Sequence, residues 1–295
     1  MKLAVIVVNF NDEKDTLKYV KEITEYDIVD KIVVVDNHST TTDCFEKLQT
    51  LKSDKVDVIQ SERNGGYSYG NNFGIKYLED QGLEFDYYAV SNPDIEISRE
   101  AIKETIEFLE ENKKAGVAAP MMLDSKDKRI RRCSWKFRTF ARDVVHSSRI
   151  LELLCYKVLK DGEYTEEDYQ NETLQVDCIS GAFFIIKKNV YHEINGFDEN
   201  VFLFYEEDIL AERLKEKGYF SFSLNNVSFK HYESQTIGKT FSYYKKVREL
   251  YSSKMYYHKT YTKINKGQEF VFKLLRVVRI LELIIEIPVR KILGR

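Results

Sequence analysis

Short β-branched runs alternate along the chain with stretches whose apolar residues recur every three or four positions. "KLAVIVV" predicts a buried strand, and the polar residues 12 to 25 that follow have helical spacing. "DKIVVVDN", "KVDVIQ" and "DYYAVSNPD" predict three more strands. The intervening helices are "CFEKLQTLK" and the segment after the glycine-rich residues 63 to 74, and "SREAIKETIEFLEEN" follows the fourth strand. Apolar strands joined by crossover helices predict a mainly parallel sheet. Ser98 stands where an N-cap would start the fourth helix.

In such sheets functional groups gather at the carboxyl ends of strands. Asn9 and Asn11, Asp36 and Asn37, and Asn92 to Asp94 all fall there. Each taken alone is also an ordinary turn residue. Past residue 120 the parallel pattern lapses into the basic, aromatic "KRIRRCSWKFRTFARDVVHSSRI". That segment reads as a nucleic-acid patch, or as a loop and helix beside an anionic substrate. The acidic body disfavours nucleic acid. "VDCISGAFFIIKK" predicts another strand, and "FLFYEEDILAERLKEKGY" a strand end running into a helix closed by Gly218.

Composition is that of an ordinary soluble chain: 295 residues, 43% hydrophobic, 32% charged, mean hydropathy −0.43. The four cysteines, at 44, 133, 155 and 178, show no metal spacing and read as reduced thiols of a cytoplasmic protein. "MKLAVIVVNFN" lacks the features of a signal peptide, and no uncharged run of 18 apolar residues suggests a spanning helix. From Lys239 onward there are 14 Lys/Arg against 4 Asp/Glu, whereas the whole chain carries −3. Body and tail are expected to face different partners.

Three stretches carry candidate chemistry. In "RNGGYSYGNNFGI" the glycines allow tight turns near a ligand, while the asparagines can tie the loop or read a polar edge. "SNPD" leaves Asp94 at a strand end, where a carboxylate can hold a hard cation or simply cap a turn. "YEEDIL" places Glu206, Glu207 and Asp208 side by side at a helix start. Repulsion among them is relieved by a helix N-terminus, a cation or a proton, and such crowding suits a general base or a capping cluster. His231 follows a strand-like run.

In the order "VVNFN", "VDNHST", "RNGGYSYGNNFGI", "SNPDIEI", "SGAFFIIKK", "GFDENVFLFYEED" and "HYES", residues 1 to about 238 resemble the family 2 glycosyltransferases. The similarity is greatest to the rhamnosyltransferase-like branch of bacterial surface-polysaccharide enzymes. The resemblance implies a GT-A fold, an α/β Rossmann-like sheet flanked by helices, over residues 1–238, with a helical extension over 239–295. It implies inverting transfer from a dTDP- or UDP-linked sugar, rhamnose favoured, to a lipid-linked or cell-surface glycan. Galactofuranose, N-acetylglucosamine or another hexose is the alternative sugar. On this basis Asn9, Asp36, Asn37, Asn64, Gly66, Gly70, Asn71, Asn72 and Asn92 are expected to bind the donor. Asp94 and His231 would hold Mg2+ or Mn2+. Trp135, Gly181 and Glu206 are assigned to the acceptor. Arg213 matches the family's arginine, Glu207 takes the base position, and Asp208 takes it if a one-residue bulge is present. The triplet "NPD" keeps only the last carboxylate of the family's metal motif, and Ile209 replaces a common Asp.

In the tail, Lys273, Arg276, Arg279, Glu282, Glu286 and Arg290 recur every three or four residues opposite Leu, Ile, Val and Phe. This predicts an amphipathic helix lying on a membrane, and hence a peripheral protein at the inner face of the cell membrane. Packing on its own core or in a homodimer is the other use of that helix. A nucleotidyltransferase and a non-catalytic nucleotide-sugar-binding protein remain as competing functions.

Overall fold

The computed structural model describes residues 1–155, 162–232 and 243–292. The first half alternates as expected: β1 (Leu3–Asn9), α1 (Glu13–Thr24), β2 (Lys31–Asp36), α2 (Cys44–Gln49), β3 (Val56–Gln60), α3 (Tyr67–Asp80) and β4 (Tyr87–Ser91). Next come β5 (Ile95–Ile97), α4 (Arg99–Glu111), β6 (Ala115–Leu123), β7 (Ser134–Trp135), α5 (Phe140–Val145) and α6 (Arg149–Cys155). The remainder holds β8 (Thr173–Val176), β9 (Cys178–Ile179), β10 (Phe183–Lys187), α7 (Lys188–Glu193), α8 (Glu206–Glu216), β11 (Phe220–His231), α9 (Tyr243–Thr260) and α10 (Lys266–Ile292). Ser98 Oγ accepts from the Ala101 amide at 3.1 Å, capping α4 as expected.

Among the described residues one sheet runs β3-β2-β1-β4-β10-β6-β11-β5, with β8 paired to β11. The β3-β2-β1-β4 part is parallel, β10 runs antiparallel between β4 and β6, and β11 runs parallel to β6. Residues 201–205 form a turn and not the strand end read from "FLFY". β6 is an unexpected strand, Ala-rich and containing Pro120. Pro120 pairs with Leu224 where the β11 register shifts, so its missing amide falls at a bulge.

Two apolar layers cover the sheet. Tyr19, Val20, Ile23, Leu48, Ile102 and Ile106 of α1, α2 and α4 cover one face. Ile75, Leu78, Val190, Leu210 and Leu214 of α3, α7 and α8 cover the other. α3 lies unusually close: a Cβ at Gly74 would come within 2.8 Å of Ile6, and one at Gly70 within 2.8 Å of Val8. These two glycines therefore serve helix-on-sheet contact.

α9 and α10 pack on the body. Tyr257 and His258 of α9 are fully buried, and Phe272, Leu275 and Leu283 of α10 face Tyr251, Phe140 and their neighbours. No helix among the described residues is long and apolar enough to cross a membrane.

Candidate active site

The strand ends converge as the sequence suggested. Asn9 at the end of β1 donates to Asp36 Oδ1 at 3.1 Å, beside β2. Asp36 is wholly buried, and its carboxylate also accepts from Ser39 Oγ at 2.5 Å and Gln60 Nε2 at 2.8 Å. Asn37 donates to the Gly66 carbonyl at 2.9 Å and to Asn64 Oδ1 at 3.2 Å, and Asn64 Oδ1 in turn accepts from the Gly66 amide. Asn37 and Asn64 thus hold the glycine loop. Gly66 has φ +90°, and a Cβ there would sit 2.2 Å from the Phe202 carbonyl oxygen.

The asparagines of α3 divide. Asn71 is fully buried and donates to the Tyr67 carbonyl at 3.0 Å, leaving its Oδ1 with no hydrogen-bond partner among the described residues. Asn72 is spent on the protein. It donates to the Phe197 carbonyl and Glu199 Oε1 at 2.8 Å, and accepts from Tyr191 Oη at 2.9 Å and the Phe197 amide at 3.0 Å. Asn92 donates its backbone amide to the Ala182 carbonyl at 2.8 Å, joining β4 to the start of β10.

Asp94 and His231 meet across β5 and β11, with His231 Nε2 3.3 Å from Asp94 Oδ2. Register brings them together, because His231 pairs with Ile95 and the Asp94 carbonyl accepts from the Tyr232 amide at 3.0 Å. Among the described residues no three His, Cys, Asp or Glu side chains could enclose a cation. A carboxylate plus an imidazole nonetheless fits a divalent ion that completes its shell with phosphate oxygens, as Mg2+ commonly does. The nitrogen ligand suits Mn2+ as well.

The glutamates form the third cluster. Glu207 Oε1 accepts from the Gly181 amide at 3.2 Å, and Tyr67 Oη donates to the Gly181 carbonyl at 2.6 Å. Gly181 has no room for a side chain, since a Cβ would lie 2.9 Å from Tyr67 Oη and 3.1 Å from Glu207 Oε1. Tyr67, the first residue of α3, escaped the sequence reading although it sits inside the glycine-rich stretch. Burial pushes the Glu207 carboxyl up from its ordinary range, and the Asp208 charge adds to that. Burial and then the Glu207 charge push Glu206 well up. Burial also raises the Tyr67 hydroxyl, with both glutamates contributing.

Asp208 lies elsewhere in chemical terms. It is fully buried, accepting from Trp135 Nε1 at 3.1 Å and from Arg138 Nε at 3.0 Å on both oxygens. Burial holds its carboxyl up although Arg138 pulls it down. Trp135, expected near the acceptor, is therefore a partner of Asp208. Arg138 was visible only as one cation of a basic segment. Arg213 pairs with Asp198 at 2.7 Å and donates to the Gly196 carbonyl at 3.0 Å. Asp198 also accepts from Tyr256 of α9 and from Tyr261, the residue just past its end, both at 2.8 Å.

A sheet of this order, with polar strand ends on one side and a carboxylate cluster beside them, has the architecture of a GT-A glycosyltransferase. The structure of GalNAc-T7 with UDP, GalNAc and Mn2+ aligns with a TM-score of 0.58 at 11% identity, covering 79% of this chain and 44% of that one. The model for "Glycosyl transferase family 2" matches residues 4–194, and the chain belongs to that family. A Haloferax volcanii relative, the low-salt glycan biosynthesis hexosyltransferase Agl10, is 28% identical over 205 residues, 70% of this chain. That match spans 59% of the relative's own length. The N-acetylglucosaminyl-diphospho-decaprenol L-rhamnosyltransferase of Mycobacterium tuberculosis is 21% identical over 214 residues, 70% of this chain and 68% of the relative.

Proposed function

We propose that the protein transfers a sugar with inversion from a dTDP- or UDP-linked donor to a hydroxyl of a polyprenyl-linked or cell-surface glycan. The observation that carries this reading is Glu207, a half-buried carboxylate of raised proton affinity held against Gly181 beside the strand-end polar groups. In the proposed step Glu207 takes the acceptor hydroxyl's proton as that oxygen attacks the anomeric carbon. The bond to the diphosphate breaks on the opposite face, which inverts the centre. The enclosure of Asp208 by Trp135 and Arg138 supports Glu207 as the base. Asp94 and His231 would hold Mg2+ or Mn2+, which when bound offsets the charge growing on the leaving diphosphate. Asn9, Asp36 and the loop held by Asn37 and Asn64 would form the nucleotide side, and Gly181 and Glu206 the acceptor side.

Rhamnose is the favoured sugar because the mycobacterial relative is named for it, and a hexose is the alternative in view of the haloarchaeal relative. The mycobacterial name also supports a polyprenyl-linked acceptor. Outward-facing Phe270, Leu274, Val277, Leu281 and Ile285 of α10, with exposed Lys273 and Arg276, support docking on the inner face of a membrane. Release of nucleoside diphosphate from a panel of dTDP- and UDP-sugars, with and without a polyprenyl-diphosphate-linked glycan, tests the proposal. Lack of release from every donor would refute it.

A further inference from the structure

Phe204 and Tyr205, at φ +71° and +70°, lead directly into α8 and its glutamates. Left-handed backbone is an outlier for bulky residues, and persists only where the surroundings over-determine it. Here the surroundings come from α5 and α9. Tyr205 Oη donates to Asp143 Oδ2 at 2.6 Å, and the Tyr205 ring lies 5.3 Å from Tyr257 and 4.8 Å from the Arg138 guanidinium. Asp143, fully buried on α5, also meets His258 Nε2 of α9 at 2.8 Å. Lys254 Nζ donates to the Asp143 carbonyl at 3.2 Å and to Ser147 Oγ at 2.6 Å. Just before the strained pair, Ser253 Oγ of α9 donates to the Leu203 carbonyl at 2.7 Å. On the far side Tyr257 Oη donates to Glu212 Oε1 of α8 at 3.0 Å. Arg138 spans from Asp143, at 3.6 Å, to Asp208 in the first turn of α8.

We propose that α9 is a positioning element for the transfer reaction: through Ser253, His258 and Asp143 it fixes the left-handed Phe204–Tyr205 step that aims Glu207 at Gly181. The inference rests on the reading of Glu207 as the base. None of these bonds reaches Glu207 itself, so the three residues act through the backbone that carries it. Of the α9 side chains, Ser253 and Tyr257 touch this stretch directly, while His258 and Lys254 hold Asp143, the acceptor of the Tyr205 hydroxyl. Burial brings the Lys254 ammonium down to about 8, against the opposing pull of the Asp143 charge.

The test uses the full chain with His258→Gln, Ser253→Ala, Ser253→Thr and Tyr205→Phe, and Glu207→Gln as reference. Turnover and donor KM are measured with the sugar nucleotide that the panel identifies, and affinity with UDP. Trp135, the one tryptophan of the chain, bonds Asp208 and reports the first turn of α8 through its emission. Misaiming a catalytic group by about 1 Å costs on the order of 10²-fold in rate. His258→Gln and Ser253→Ala are expected to lose about that factor in kcat. Donor KM and UDP affinity should stay within about twofold and Trp135 emission should shift, while Ser253→Thr restores turnover. Tyr205→Phe keeps the ring and removes one hydroxyl, so it supplies a folded variant if the others fail to fold. Unchanged kcat in folded variants, or a loss confined to KM, overturns the inference. If Glu207→Gln itself turns over normally, the base reading fails separately. The positioning claim is then decided by Trp135 emission alone, and an unchanged spectrum overturns it.

Discussion

Glu207→Gln and Asp208→Asn, made one at a time, should fail in opposite ways. Glu207 is half-buried and bonded to a backbone amide, with no cation among its hydrogen-bond partners in the described residues. Losing a general base typically costs about 10²–10⁴-fold in kcat, or about 3–5 kcal/mol of barrier. Donor KM should hardly change, because the base acts in the transition state. Folding should not suffer, since the change removes a carboxylate whose charge raises Glu206 and which the Asp208 charge raises in turn. Asp208 is the reverse case. Its side chain is 1% exposed and receives Arg138 through both oxygens. Breaking a buried ion pair from one side costs about 3–5 kcal/mol. Arg138 keeps Asp143 at 3.6 Å and is 29% exposed, which argues for the lower end, about 3 kcal/mol. With a urea slope of roughly 3 kcal/mol per M, the midpoint should fall by about 1 M. Urea titrations followed by Trp135 emission, alongside initial rates, measure both axes. A Glu207→Gln enzyme within about threefold of wild type in kcat would sink the base assignment, that factor lying far below the range for a lost base. Unimpaired stability in Asp208→Asn would sink the ion-pair argument.

The raised carboxyls of Glu206 and Glu207 tie activity and stability to pH with opposite signs. Turnover should rise with pH through a midpoint above the ordinary carboxylate range, as Glu207 must be ionised to act. Their contribution to stability is full below the unfolded-state values and is lost as pH rises through the raised folded ones. Glu207→Gln should shrink that loss as pH rises above the ordinary carboxylate range in paired urea titrations, and an equal loss in both proteins would refute it. Asp94→Ala and His231→Gln should each weaken Mn2+ binding in the presence of UDP, read by the EPR signal of free Mn2+; unchanged binding in both would remove the cation from this pair. Leu281→Glu with Ile285→Glu should abolish flotation with anionic vesicles while leaving UDP affinity intact, and retained flotation would refute the membrane face.

Much of the fold was legible because β1 and β2 are nearly continuous β-branched runs, and β3 and β4 are short, mainly apolar or aromatic runs between helical stretches. β6 was not, since "AGVAAPMML" has weak strand propensity and owes its place to β10 and β11 on either side. Asp94 and His231 were legible as separate strand-end residues, and register alone makes them neighbours. The resemblance gave Gly70 and Asn72 to the donor, while the residues alone allowed the asparagines either to tie the loop or to read a ligand; in the structure Gly70 closes on Val8 and Asn72 bonds the loop at Phe197. Composition reports that a backbone must come close to something, without saying to what. Asp143, Tyr205 and His258 left no local signal, because a buried polar network is assembled from positions far apart in the chain.

The tail shows the same difficulty in sharper form. Its basic charge reads as one surface segment, but its two helices have different surroundings. Ser253, Lys254 and His258 look like solvent-facing residues in sequence and are buried in α9. α10 is apolar on two sides: Phe272, Leu275 and Leu283 face the body, while Leu281 and Ile285 are 57% and 71% exposed. Deleting α10 would therefore do more than free a membrane contact. Each uncovered core side chain is worth about 1.5–3 kcal/mol, so losing these three forfeits roughly 5–9 kcal/mol, a large part of the stability of an ordinary domain. A truncated chain that fails to bind vesicles would say little, because it should also fail to fold. Charged substitutions confined to Leu281 and Ile285 leave the inner face intact. If such a protein floats less while its urea midpoint is unchanged, the outer face binds lipid; if the midpoint falls as well, that face is part of the protein's own packing.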